Sequence, residues 1–74
     1  MASEEELRQI KRRHSARLLQ LPGVSGVGIE KDASGDLVLA VHLDANDPEA
    51  GKDVPETIEG QPIKRVRSGP FAKL

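Results

Sequence analysis

The stretch LVLAVHL, residues 37–43, constrains this chain more than any other. In an extended segment Leu37, Leu39, Val41 and Leu43 share one face, and Val38, Ala40 and His42 share the other, so nearly every position is apolar. A strand that is apolar on both faces predicts a central place in a sheet. The rest of the 74 residues has to be arranged around it.

The amino-terminal segment predicts a helix over residues 3–21. Ser3 followed by Glu6 is a capping box, in which the serine oxygen takes an orphan helix amide and the glutamate reaches back to the cap. Glu4, Glu5 and Glu6 lie at the positive end of the helix dipole, and Arg12, Arg13 and Arg17 lie toward its negative end. Leu7, Ile10, His14, Leu18 and Leu21 recur at helical spacing and form one apolar stripe to be buried. Pro22 forces Leu21 out of the helical region, and Gly23 permits the turn that follows.

A second strand is expected over residues 25–31, where Val27 and Ile29 alternate with Gly26, Gly28 and Glu30. Asp32, Ser34, Gly35 and Asp36 make a hairpin-type connection to the strand over residues 36–43. Residues 44–53 are acidic and read as an exposed loop, and residues 54–60 read as a short helical turn opened by Pro55 and closed by Gly60. Ile63 and Val66, set among basic residues and preceded by Pro62, predict a short edge strand over 62–68, with a tail over 69–74. The expected fold is a single two-layer α+β domain: a long helix, then a three-stranded antiparallel sheet with a short helix before its last strand.

Composition removes whole classes of chemistry. The chain has no Cys, Trp or Tyr, and Phe71 is its one aromatic, which excludes disulfide frameworks, thiolate nucleophiles and cysteine-based zinc sites. No apolar run reaches the length of a signal core or a membrane span, so a cytoplasmic location is expected. The net charge of −1 conceals three blocks. Residues 1–21 carry five Lys and Arg against three Glu, residues 22–61 two Lys against nine acids, and residues 62–74 four Lys and Arg with no acid. Basic ends and an acidic middle imply either a bipolar surface that meets a partner, or ends that fold against the middle.

Catalytic candidates are few. The glycines of LPGVSGVGIE, Gly23, Gly26 and Gly28, leave a helix and enter a strand, whereas phosphate loops leave a strand and open a helix whose dipole attracts the anion. They therefore read as a helix stop followed by a strand with a bare face that another backbone could approach. His14 and His42 have no neighbouring ligand set in sequence and read as structural histidines. Ser15, Ser25, Ser34 and Ser68 lack a nucleophile's setting. No enzyme activity, cofactor, metal or small-molecule ligand is expected.

The basic residues Arg12, Arg13, Lys64, Arg65 and Arg67 form the alternative, a small nucleic-acid-binding protein. A helical wheel puts Arg8, Lys11 and Arg12 on one flank of the apolar stripe and Arg13 and Arg17 on the other, and no aromatic is available there to stack a base.

The run PGVSGVGIEK, GDLVLAVHLD and VPETIEGQPIKRVRSGPF, residues 22–71, resembles a module at the amino end of some bacterial and plant trypsin-like serine peptidases. That resemblance implies an accessory domain; the peptidase domain and its triad are not in this chain, so proteolysis is not implied. LPGVSGVGIE is also similar to the helix-to-strand junction of heavy-metal-associated domains, but their C-x-x-C is missing here and copper binding is not implied. The element order is similar to the protease pro-region-like fold, which implies an inhibitory role for the tail SGPFAKL as a further alternative. The expectation is a non-enzymatic interaction module that self-associates or docks a peptidase-type partner through a sheet edge, with Gly26, Gly28, Arg12, Arg13, Lys64, Arg65 and Arg67 as its candidate surface.

Overall fold

The computed structural model describes residues 3–68. Helix α1 spans Glu4–Leu19, and strands follow at Val24–Lys31 (β1), Leu37–Asp44 (β2), Thr57–Ile58 (β3) and Gln61–Ser68 (β4). The described residues form a small α+β fold, with one helix against a mixed four-stranded sheet of order β1-β2-β4-β3. No helix among the described residues is long and apolar enough to cross a membrane.

Local chemistry accounts for the first elements. The Ser3 hydroxyl accepts from the Glu6 amide, and the Glu6 carboxylate accepts from the Ser3 amide, closing the capping box. These bonds hold the Glu6 carboxyl below its ordinary value. At its other end α1 stops at Leu19, two residues short of the expected boundary. Pro22 bars the helical conformation to Leu21, and the chain leaves through the turn bonds Leu21 N–H to Leu18 O and Val24 N–H to Leu21 O. In the β1–β2 connection the Asp32 side chain accepts from the amides of Ser34 and Asp36, a local bond that makes the turn with little help from the core.

β1 and β2 pair antiparallel, Val27 against Val41 and Ile29 against Leu39, with a bulge between Val24 and Gly26. β1, β2 and β4 each begin or end one residue from the expected limit. Two larger expectations are corrected. The sheet is not wholly antiparallel, because β4 lies parallel to β2, with Leu39 beside Ile63 and Leu43 beside Arg67. A parallel neighbour needs a long crossover, and residues 45–60 provide it without a helix. The helical turn expected over 54–60 is instead β3 and a tight turn, in which Glu59 and Gly60 have φ of 51° and 80°. Two successive positive φ values match the type I′ turn, whose twist suits a two-residue hairpin. Pro55 and Gly60 punctuate a helical turn and a hairpin equally well, and the pairing of Thr57 with Pro62 decides between them.

The acidic loop is also less exposed than expected. Asp44 and Asp47 cap successive turns through the amides of Asn46 and Glu49, which lays Ala50 and Val54 into the core. The core joins Leu7, Ile10 and Leu18 of α1 to Leu39, Val41 and Leu43 of β2 and to Ala50, Val54 and Ile58 of the crossover and β3. A buried leucine of this kind is worth about 2–5 kcal/mol over alanine, comparable to the net stability that a core of this small size supplies. The helix and the crossover together cover one face of the sheet. The opposite face carries Gly26, Gly28 and Glu30 of β1, Val38, Ala40 and His42 of β2, and Lys64 and Val66 of β4, and no described element lies over it.

Candidate functional site

The sheet order makes β1 an outermost strand, and the final strand, expected at the edge, lies inside, between β2 and β3. The two glycines of β1 therefore sit on an edge. Neither has a positive φ. Among the described residues a Cβ on Gly28 would meet nothing within 4 Å, and one on Gly26 would meet only the His42 Cβ at 3.9 Å, an ordinary contact. Among the described residues neither the backbone nor the packing requires glycine at these positions. Gly23 is the opposite case. Its φ is 80°, and a Cβ there would collide with the Ala50 side chain and lie 2.7 Å from the Ala50 Cα.

On the helix-free face Glu30 points inward from the edge. Its carboxylate meets His42 Nε2 at 2.5 Å and Lys64 Nζ at 3.8 Å, linking β1, β2 and β4. In the register the Gly28–Ala40 pair falls between Glu30 and His42, so these two side chains reach toward each other across it. Ala40 is 0 % exposed although no helix covers this face. The arrangement closes over the middle of the sheet, and among the described residues no strand lies on the outer side of β1.

The two flanks of α1 have different neighbours. On one, Arg13 grips Glu59 through Nε and Nη2 at 3.0 and 2.7 Å, and His14 Nε2 meets the same carboxylate at 2.8 Å. Arg17 Nη2 lies 2.8 Å from His14 Nδ1. A guanidinium can only donate, so Nδ1 accepts, and the proton of the neutral ring is assigned to Nε2, which donates to Glu59. The Arg13 hydrogen bonds, and then that from His14, hold the Glu59 carboxyl down at about 2, and the same contact raises the Arg13 guanidinium.

Because this flank is tied to the β3 side of the sheet, the other flank overhangs β1. There Arg8, Lys11, Arg12 and Ser15, with Glu4, form the wall of a groove whose floor includes Ile29 and Leu37. Arg8 pairs with Glu4 at 2.6 Å with both side chains more than half exposed. Among the described residues Lys11 and Arg12 make no ion pair.

The structure thus separates the seven residues singled out in the sequence. Gly26, Gly28 and Lys64 share the helix-free face, and Arg12 stands over the β1 edge. Arg13 is taken up by Glu59. Arg65 donates to the Val54 carbonyl at 2.7 Å, and Arg67 to the Ala50 and Asp47 carbonyls at 3.0 and 3.4 Å, so both hold the crossover onto β4. The basic carboxyl-terminal strand does lie against the acidic middle, mostly through backbone oxygens. The five cations of the nucleic-acid alternative do not share one face. The tail expected to act in peptidase inhibition lies outside the described residues.

Three features were not identified in the sequence. The Arg13–Glu59 and His14–Glu59 contacts join residues 46 and 45 apart and had no local signal. Glu30 and His42 could have been paired, since both alternate onto the non-core face of one hairpin. The basic flank is visible on a helical wheel, but its position over β1 is not, because the Arg13–Glu59 contact that ties the other flank to the β3 side joins distant residues. Among the described residues no three His, Asp or Glu side chains are grouped to hold a metal ion. In comparison with known proteins, no family model matches the chain, and neither a curated protein nor a solved structure does.

Proposed function

We propose that this chain is a non-enzymatic protein-interaction module that receives an extended segment of a partner along the free edge of β1. The observation that carries this reading is the pair Gly26 and Gly28 on an outermost strand, where neither the backbone nor the packing of the described residues asks for glycine. An edge strand offers a row of unpaired amides and carbonyls, and glycine there lets another backbone come close. Edge pairing of this kind draws affinity from main-chain bonds and specificity from alternate side chains. The likeness of residues 22–71 to the module preceding trypsin-like peptidase domains makes a peptidase-type protein the first natural partner to assay. A cysteine-free chain suits the cytoplasmic location proposed with it.

The test is selection from a displayed library of random dodecapeptides, followed by amide hydrogen exchange of the purified protein with a selected peptide. Added protection concentrated in residues 24–31 is the expected result. Failure to enrich any peptide, or protection confined to β4 or the crossover, would refute the proposal.

A further inference from the structure

Resting on the β1-edge reading, we infer that the partner segment is an acidic strand, alternating carboxylate side chains with bulky apolar or aromatic ones. A strand added beside β1 presents its side chains alternately to the two faces of the sheet. On the helix side they enter the groove between Ile29 and the overhanging flank of α1, where Arg8, Lys11 and Arg12 stand against a single acid, Glu4. Glu4 is already engaged by Arg8, and an exposed pair of this kind is held weakly enough to be exchanged for a partner's carboxylate. Lys11 and Arg12 have no such engagement among the described residues, so the wall offers positive charge above an apolar floor. Acidic side chains fit that wall and basic ones are repelled by it.

On the other face the partner's side chains meet Gly28 and Gly26. Among the described residues nothing stands where a Gly28 Cβ would be, and Glu30 is turned inward to His42 and Lys64. A large side chain across from an edge glycine covers the exposed backbone, which is the basis of aromatic rescue in sheets. The two faces of β1 therefore ask for opposite chemistries from alternate residues of one strand.

A second copy of this chain is the competing occupant. Two β1 strands pairing antiparallel would be related by a two-fold axis perpendicular to the sheet, which keeps both helices on the same face. Each basic flank would then confront its own copy, and like charges placed together oppose that pairing. An acidic partner strand has no such penalty.

Three fluorescein-labelled nonapeptides alternating tyrosine or valine with glutamate, threonine or lysine would be titrated by anisotropy with the intact protein at low and high salt. The glutamate peptide should bind at least about tenfold tighter than the threonine peptide at low salt, with the margin shrinking as salt screens the charges. Arg12→Glu, at an exposed position, should remove that margin with the helical circular dichroism unchanged, and Lys11→Gln should reduce it. Equal binding of the glutamate and threonine peptides would overturn the acidic inference while leaving the edge reading standing. Tightest binding of the lysine peptide would overturn the inference outright. No binding by any peptide would remove both. A dimer in sedimentation whose β1 amides are protected without peptide would replace the acidic strand by a second copy.

Discussion

Glu59, at the tip of the β3–β4 turn, receives Arg13 in a bidentate grip 46 residues away in sequence, and so fastens the far end of the sheet to the middle of the helix. The turn residue has φ of 51°, which L-residues adopt reluctantly, and its side chain holds Arg13 and His14. Because Arg13 and then His14 depress the Glu59 carboxyl from its ordinary 4.5 to about 2, the sign of the pH effect is determined. The contribution is fully present above pH 4.5 and is lost as pH falls toward 2. Urea midpoints measured at pH 7, 4 and 2.5 should fall more steeply for the native protein than for Glu59→Gln over that window. Parallel slopes would rule out this contact as a source of acid sensitivity.

Gly28→Val separates a glycine kept for contact from one kept for folding. Valine fits a strand backbone, and its Cβ meets no atom of the described residues within 4 Å. Glycine weakens strands, so the replacement should stabilise the chain by roughly 0.5–1 kcal/mol. For a domain of this length that is a rise in melting temperature of a few degrees, on the order of 4–8 °C per kcal/mol. The same variant should lose affinity for any peptide selected on the β1 edge. A fall in melting temperature would instead mean that the bare face is needed within the fold.

What the sequence disclosed, and what it did not, divides by the range of the interactions. The Ser3–Glu6 box and the stripe from Leu7 to Leu18 are local, and both appear where expected. LVLAVHL predicts a central strand because its own residues are apolar on both faces, and β2 does lie between β1 and β4. The direction of β4 had no local marker. Ile63 and Val66 suit a parallel strand and an antiparallel edge strand equally, and the choice rests on how the crossover folds back. Asp44, Asp47, Ala50 and Val54 make that decision together, through two side-chain caps and two small apolar contacts spread along a segment whose composition reads as solvated loop. Because residues 57–58 read as part of a helical turn and not as a strand, β4 is expected at the edge, whereas β3 pairs with it and encloses it. The candidate site followed the same pattern: its glycines and its basic flank were legible separately, and their meeting along β1 was not.

Arg65 and Arg67 should behave as structural residues. Their guanidiniums close on the carbonyls of Val54, Ala50 and Asp47, which the crossover leaves without a strand partner. A hydrogen bond from a charged donor to such a carbonyl is worth on the order of 1–2 kcal/mol. Arg65→Met and Arg67→Met should each lower stability by about that amount, and amide exchange should quicken in residues 45–56 before it does in α1 or β1. Unchanged stability with weakened RNA or DNA binding in a salt-dependent mobility assay would restore the nucleic-acid alternative for these two residues.

Gly23→Ala should be strongly destabilising. The residue has φ of 80°, which costs an alanine about 1–2 kcal/mol in the left-handed region. Its carbonyl also accepts from the Asp44 amide at 2.8 Å, which binds the turn after α1 to the end of β2 and limits how far it can shift. The added methyl would press on the Ala50 Cα, a backbone atom held in the core by the crossover, and overpacking of this kind costs a further 1–3 kcal/mol or so. A loss of about 2–5 kcal/mol is comparable to all that a core of this size supplies. Gly23→Ala should therefore be largely unfolded by circular dichroism at 25 °C or so, under conditions where Gly28→Val is fully folded. Should both variants melt alike, the packing of the helix-to-strand turn against Ala50 would be wrong, and the two glycines would have to be regarded as equivalent.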